Sequence, residues 1–158
     1  MLDAHAVPTF QGPQVTTPSL PGLRVLWART PEDLAAIFEI RRRVFCEEPG
    51  IVDGRVTDAV IPEGVIGAGR LTPPGHGRAE AQIAWVATLP GYRGHGIGTA
   101  VMQALLAAAD AANYPVVVLS AQVHALHFYE RLGFVPYGNR FQVRGIEHQM
   151  MARRIPRH

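Results

Sequence analysis

The stretch Leu89-Pro-Gly-Tyr-Arg-Gly-His-Gly-Ile-Gly98 holds the residues best suited to chemistry. Within it, Arg93-x-x-Gly96-x-Gly98 joins a strand-like run (83–88) to a helix-like run (99–112). Glycines at such a turn let main-chain N–H groups crowd around an anion without interference from Cβ atoms. The start of the helix adds unpaired donors and the positive end of its dipole. The expected ligand is therefore a phosphate. A Walker loop requires Gly-Lys-Ser/Thr, and the chain contains no lysine. A dinucleotide fingerprint requires Gly-x-Gly-x-x-Gly, whereas Gly94, Gly96 and Gly98 are spaced evenly by two. Taken alone, the loop could also be a plain glycine-rich connection.

A second group of residues lies downstream. Val116-Val-Val-Leu119 is a short β-branched run of the buried-strand type, followed by Ser120-Ala-Gln122 and then Phe128-Tyr-Glu-Arg-Leu-Gly-Phe134. With these pieces the chain resembles the GCN5-related N-acetyltransferases, the GNAT superfamily. That superfamily's Arg/Gln-x-x-Gly-x-Gly/Ala loop matches Arg93 to Gly98, and its Phe-Tyr-x-x-x-Gly-Phe signature matches Phe128 to Phe134. The segment Phe141-x-x-x-Gly145-Ile-x-His148-x-x-Met151, together with Ala121-Gln122, is similar to the small bacterial ElaA-like branch. The resemblance covers roughly residues 23 to 155.

The resemblance implies an acyl-CoA N-acyltransferase fold, an α/β architecture with a central mixed sheet flanked by helices. It implies an enzyme that moves an acetyl group from acetyl-CoA to a primary amine of a small molecule or peptide by direct attack, in a fold that needs no metal, and a homodimer is common among relatives. Separately, the lone cysteine, the lack of a secretory-signal pattern and the lack of a bilayer-length apolar run lead to the expectation of a cytoplasmic protein away from the membrane, and the small net charge to that of no nucleic-acid partner. The loop residues Arg93, Gly94, His95, Gly96, Ile97 and Gly98, followed by Thr99, would receive the pyrophosphate. Val86, Ala87 and Thr88 would pair with the pantetheine arm through main chain, as in strand addition. Gln122 would contact that arm in place of the Asn many relatives carry, and Tyr129 would protonate the departing thiolate. A tyrosine with its ordinary pKa of about 10 can donate at neutral pH.

The general base is open. Some relatives that acetylate protein N-termini carry a Glu twelve residues before the tyrosine; Val117 stands there instead. Glu80, Gln82, His124 and His148 are the candidates, with His148 preferred because imidazole titrates near neutrality. A water chain without a dedicated base is an equal alternative. The rival to an enzyme is a non-catalytic acyl-CoA-binding sensor or partner module.

Elements must position these groups. Residues 1–22, with prolines at 8, 13, 18 and 21, are expected to be a flexible arm ahead of a single domain spanning 23–158. Leu23 to Trp27 alternates like a first strand. Thr30-Pro31-Glu32-Asp33 is a helix start, with Leu34, Ile37, Phe38, Arg41, Val44 and Phe45 at helical spacing behind it. A short hairpin is expected over 57–61 and 65–71, and a central strand over 79–88. The following helix should bury Val101, Met102, Leu105, Leu106 and Ala109 and end near Asn113. Residues 140–143 and 147–153 complete a closing hairpin.

Composition sets the outer limits. An apolar content of 47% over 158 residues suits one substantial core. A net charge of +2 gives no support to nucleic-acid binding. The single Cys46 excludes an internal disulfide and is expected to be a small apolar filler. Arg41-Arg42-Arg43 is expected first to be a solvated helix face and second to contact an anionic nucleotide or partner; Trp27 and Trp85 are expected to be core aromatics, with Trp85 flanking the cofactor cleft as the alternative, and His124 and His127 to be non-ligating. Glu47, Glu48, Asp53 and Asp58 hint at a cationic acceptor.

Overall fold

The computed structural model describes residues 24–47 and 65–157, without the side chains of Cys46 and Glu47. The expected arm at 1–22, the first strand of the 57–71 hairpin and most of the acidic loop fall outside these residues.

Helix α1 runs from Pro31 to Arg42 and continues as a π-helical turn, Arg43–Glu47. Its start is reciprocal: the Thr30 hydroxyl accepts from the Asp33 N–H at 3.1 Å, and the Asp33 carboxylate accepts from the Thr30 N–H at 3.1 Å. The helix buries Ala36, Glu39 and Ile40; of the face expected from the spacing, Ile37, Val44 and Phe45 pack partly buried against this core, whereas Leu34 and Phe38 are exposed. The buried carboxylate makes this possible. Glu39 accepts from Arg42 Nε and Nη2 at 2.9 and 2.7 Å and from Arg43 Nε at 3.0 Å. The bond from Arg42 outweighs burial and holds the Glu39 carboxyl below its ordinary pKa. Thus Arg42 and Arg43 are paired, where the sequence had suggested a solvated basic face. The strand expected at 23–27 is likewise not observed, since 24–29 pair with no strand and Leu26 is 69% exposed.

Among the described residues, five strands form one sheet: β1 (Gly67–Thr72), β2 (Glu80–Thr88), β3 (Val116–Gln122), β4 (Val135–Val143) and β5 (Ile146–Arg154). Their spatial order is β1-β2-β3-β5-β4, with β2 and β3 parallel and the other neighbours antiparallel. The parallel pair needs a crossover, and helix α2 (Ile97–Ala111) supplies it. Helix α3 (Leu126–Glu130) follows β3 after a 3₁₀ turn.

The helix pattern read from the sequence holds on α2. Val101, Met102, Leu105, Leu106 and Ala109 are all buried, packing with Ala81, Ile83, Val117, Leu119 and Ala121 of the sheet and with Phe134, Met151 and Ile155. Asn113 ends the helix at φ 58°. On the opposite sheet face, Ile40 of α1 packs with Ala68 and Ala87. Among the described residues no helix is long and apolar enough to cross a membrane.

The approach of α2 to β1 depends on a missing side chain. A Cβ on Gly69 would lie 2.7 Å from Val101 Cγ1 and 3.0 Å from Leu105 Cδ1. Gly69→Val should therefore lower unfolding stability by about 1–3 kcal/mol or more, the usual cost of overpacking a core. Urea denaturation measures it, and a midpoint within error of wild type would contradict this packing.

Candidate active site

Strands β2 and β3 begin as partners and then part. Their ladder consists of Glu80↔Val116, Ala81↔Val117 and Gln82↔Val118, although β2 continues to Thr88 and β3 to Gln122. A bulge accompanies the parting. The β1–β2 register passes from Ala68↔Ala87 to Arg70↔Ala84, which sets Trp85 and Val86 together opposite Gly69. Trp85 has φ 58°, an uncommon conformation for a large side chain and one that concentrates at functional sites. Meanwhile β3 keeps pairing with β5 up to Gln122↔His148. Among the described residues, the β3-facing edge of β2 along Ile83–Thr88 therefore has no ladder partner. A flexible chain carrying amides can lie in such a gap. Val86, Ala87 and Thr88 are all on this segment.

The glycine loop lies at the wide end of the gap. Gly96 is the N-cap of α2, at φ 78° and ψ 13°, and no side chain caps the helix. The first-turn N–H groups are thus left to whatever anion arrives. Gly94 also has positive φ, at 81°. Arg93 donates from Nε to the Thr88 carbonyl at 3.1 Å, which folds the loop back on the end of β2. His95 is half-buried and Thr99 lies in the first turn of α2. Gly98 brings this turn against α3, since a Cβ there would be 3.3 Å from Phe128 Cζ.

Next to Phe128 is Tyr129. Its ring meets Phe128 edge-on at 4.9 Å and Phe134 at 6.1 Å. The N–H groups of Leu132 and Phe134 both donate to its carbonyl, at 3.0 and 3.1 Å, which fixes the backbone from which the ring projects. Burial pushes the Tyr129 hydroxyl up to about 12. At neutral pH this group is a neutral hydroxyl with a proton to give.

Across the gap, His148 of β5 stands beside Gln122 in the ladder. Its Nδ1 lies 2.8 Å from the Ile146 carbonyl oxygen and its ring stacks on Phe141 at 5.8 Å. A carbonyl only accepts, so Nδ1 carries the hydrogen and the neutral ring keeps its lone pair on Nε2. Glu80 and Gln82, by contrast, lie at the closed end, where β2 is still zipped to β3. Thr88 is about 20 Å further along an extended strand from Gln82. His124 is exposed in the 3₁₀ turn after Gln122. Among the described residues no group of three or more His, Cys, Asp or Glu side chains could hold a metal.

One feature departs from the first expectation. Trp85, expected first in the core, is 46% exposed, because the bulge turns it outward toward α1. Phe45 meets it edge-on at 5.3 Å and Arg41 covers its ring. Positive φ at a tryptophan leaves no trace in residue type, so only the Gly69 opposite it offered a hint.

The family model described as "Acetyltransferase (GNAT) family" matches residues 21–134. The glucosamine 6-phosphate N-acetyltransferase of Trypanosoma brucei brucei is 33% identical over 109 residues, 65% of this chain and 68% of that protein. An acyl-CoA N-acyltransferase structure from Pseudomonas aeruginosa superposes with a TM-score of 0.68 at 26% identity, covering 79% of this chain and 92% of the other. Escherichia coli ElaA, with a TM-score of 0.64 over the same shares, is 23% identical and so shares the fold. A match through the glycine loop to Phe134, and a relative at one-third identity, make this chain a member of the GNAT family and an acyltransferase.

Proposed function

We propose that the protein transfers an acetyl group from acetyl-CoA to a primary amine of a small molecule or peptide, with residues 23–158 acting as a single catalytic domain. The parting of β2 from β3 at Gln82, with uncapped α2 at its mouth, carries this reading. The diphosphate rests on the N–H groups of Gly96 to Thr99 and within the Arg93–His95 turn. The pantetheine amides add to β2 along Val86, Ala87 and Thr88, and Gln122 reaches the arm from β3. The amine attacks the thioester carbonyl and the new C–N bond forms. A main-chain N–H of β2 beyond the bulge stabilises the oxyanion. The C–S bond then breaks, and the thiolate takes the Tyr129 proton. His148 Nε2, the lone-pair nitrogen, accepts the proton released by the amine. No ion or metal is needed for these steps.

The test couples calorimetry with acetyl-CoA to a CoA-release screen of polyamines, amino sugars including glucosamine 6-phosphate, aminoglycosides and lysine peptides. Binding with turnover of at least one amine is expected. Binding without any turnover would favour the sensor-module alternative, and absence of binding would overturn the reading altogether. His148→Gln should lower kcat by about 10²-fold, a typical general-base contribution, without changing affinity for CoA. Glu80→Gln should leave kcat unchanged, and the reverse pattern would move the base to the closed end of the sheet.

A further inference from the structure

On the sheet face opposite α2, Arg41 of α1 lies over the bulge. Its guanidinium carbon is 5.5 Å from the Phe38 ring centroid and 5.4 Å from that of Trp85. The side chain is half-buried, and among the described residues its Nε is buried without a hydrogen-bond partner. Its neighbours Arg42 and Arg43 both bond to the buried Glu39. Among the described residues, the charge that Arg41 feels is another cation. Burial first, and then the positive charge of Arg70, hold the guanidinium below its ordinary pKa.

Arg70 is exposed on β1 and stands opposite Ala84, directly beside Trp85. Among the described residues neither Arg41 nor Arg70 ion-pairs with a carboxylate. Guanidinium groups cannot shed their charge, so two of them gathered beside a ring, one with a desolvated N–H, form a site short of an anion. The position is informative. The nucleotide carrier enters from the α2 side, where Gly96 to Thr99 lie, leaving the α1 face of the bulge to the second substrate.

We propose that Arg41 and Arg70 hold an anionic group of the acceptor, a phosphate or a carboxylate, against Trp85, so that its amine is presented to β2 from the α1 face. The proposal rests on the acyl-transfer reading above. It sets a different expectation from the cationic acceptor suggested by the acidic residues at 47–58, most of which lie outside the described residues.

The test pairs each amine with its anionic counterpart: ethanolamine with O-phosphoethanolamine, and β-alanine amide with β-alanine. The anionic member should show a kcat/KM at least about tenfold higher, equivalent to about 1.4 kcal/mol. Arg70→Gln, at an exposed position, should collapse that ratio to near one while leaving the Kd for CoA unchanged. A preference for the uncharged amines, a ratio that Arg70→Gln does not alter, or a weakened Kd for CoA in its place would overturn the proposal. If none of these amines turns over, CoA-saturated protein is titrated with phosphoglycolate and with glycolate. Heat from the phosphorylated compound, lost in Arg70→Gln, then supports the site, and silence from both overturns it. Acetyl transfer to uncharged amines alone would sink this inference while sparing the reading it rests on.

Discussion

Tyr129→Phe is expected to lower kcat by about 10²–10³-fold, within the range assigned to a positioned general acid, with the Kd for CoA nearly unchanged. The substitution removes only the hydroxyl. The ring contacts with Phe128 and Phe134, and the two hydrogen bonds to the Tyr129 carbonyl, belong to parts the phenylalanine keeps. Affinity should therefore survive while proton delivery to sulfur does not. Burial raises this hydroxyl to about 12, so the acid form persists across any workable assay range. The sign follows: a raised pKa keeps the donor protonated as pH rises, and ionisation would stop catalysis only near that value. The wild-type kcat/KM profile should accordingly show no descending limb between about pH 8 and 10, the region in which an unperturbed tyrosine begins to ionise. Single-turnover CoA release at several pH values measures both effects. Equal rates for the two proteins would remove Tyr129 from the chemistry, and a limb near pH 9 lost in the phenylalanine variant would show that the hydroxyl is not desolvated.

Gly96→Val should have the largest effect on binding. At φ 78° a β-branched residue is strained by about 1–2 kcal/mol, and relief comes by rotating the peptide units that aim N–H groups at the diphosphate. Loss of two such donors to a charged ligand, each worth about 1.5–3 kcal/mol, corresponds to a rise in Kd of about 10²-fold or more. Gly75→Ala is the control, since nothing lies within 4 Å of a Cβ there and its φ needs no glycine. Calorimetry with CoA, beside circular dichroism to confirm the fold, decides the matter. Unchanged affinity in Gly96→Val would move the phosphate site off this loop.

The second half of the chain could be read because its signals are local. Glycines in a fixed order between an apolar strand and an apolar helix specify a turn, and α2 buried the five residues that its spacing named. The Phe-Tyr pair and the closing hairpin followed for the same reason, being marked by residue types that few other structures need. The first half was read less fully. Helix α1 keeps Ile37, Val44 and Phe45 of its expected face against the core but exposes Leu34 and Phe38 and buries Ala36, Glu39 and Ile40; Arg42 and Arg43 neutralise Glu39, a local cooperation among three charges that apolar periodicity does not register. Leu23 to Trp27 alternates like a strand, but alternation cannot supply a neighbouring edge to pair with. Trp85 was misplaced because a bulge is a property of two strands taken together. The nearness of Arg41 to Arg70 was out of reach for the same reason, since one lies on α1 and the other on β1 and only the packing of helix on sheet brings their charges near each other.

The early end of the β2–β3 ladder also bears on how the molecule holds itself together. A sheet unzipped halfway has forgone rungs that it could have made, and on the proposed reading the thioester arm of acetyl-CoA furnishes them. Substrate and scaffold would then share a seam, and the protein would be stiffest when about to react. Each departure of CoA would reopen that seam, so turnover would also be a cycle of loosening and mending in the middle of the fold.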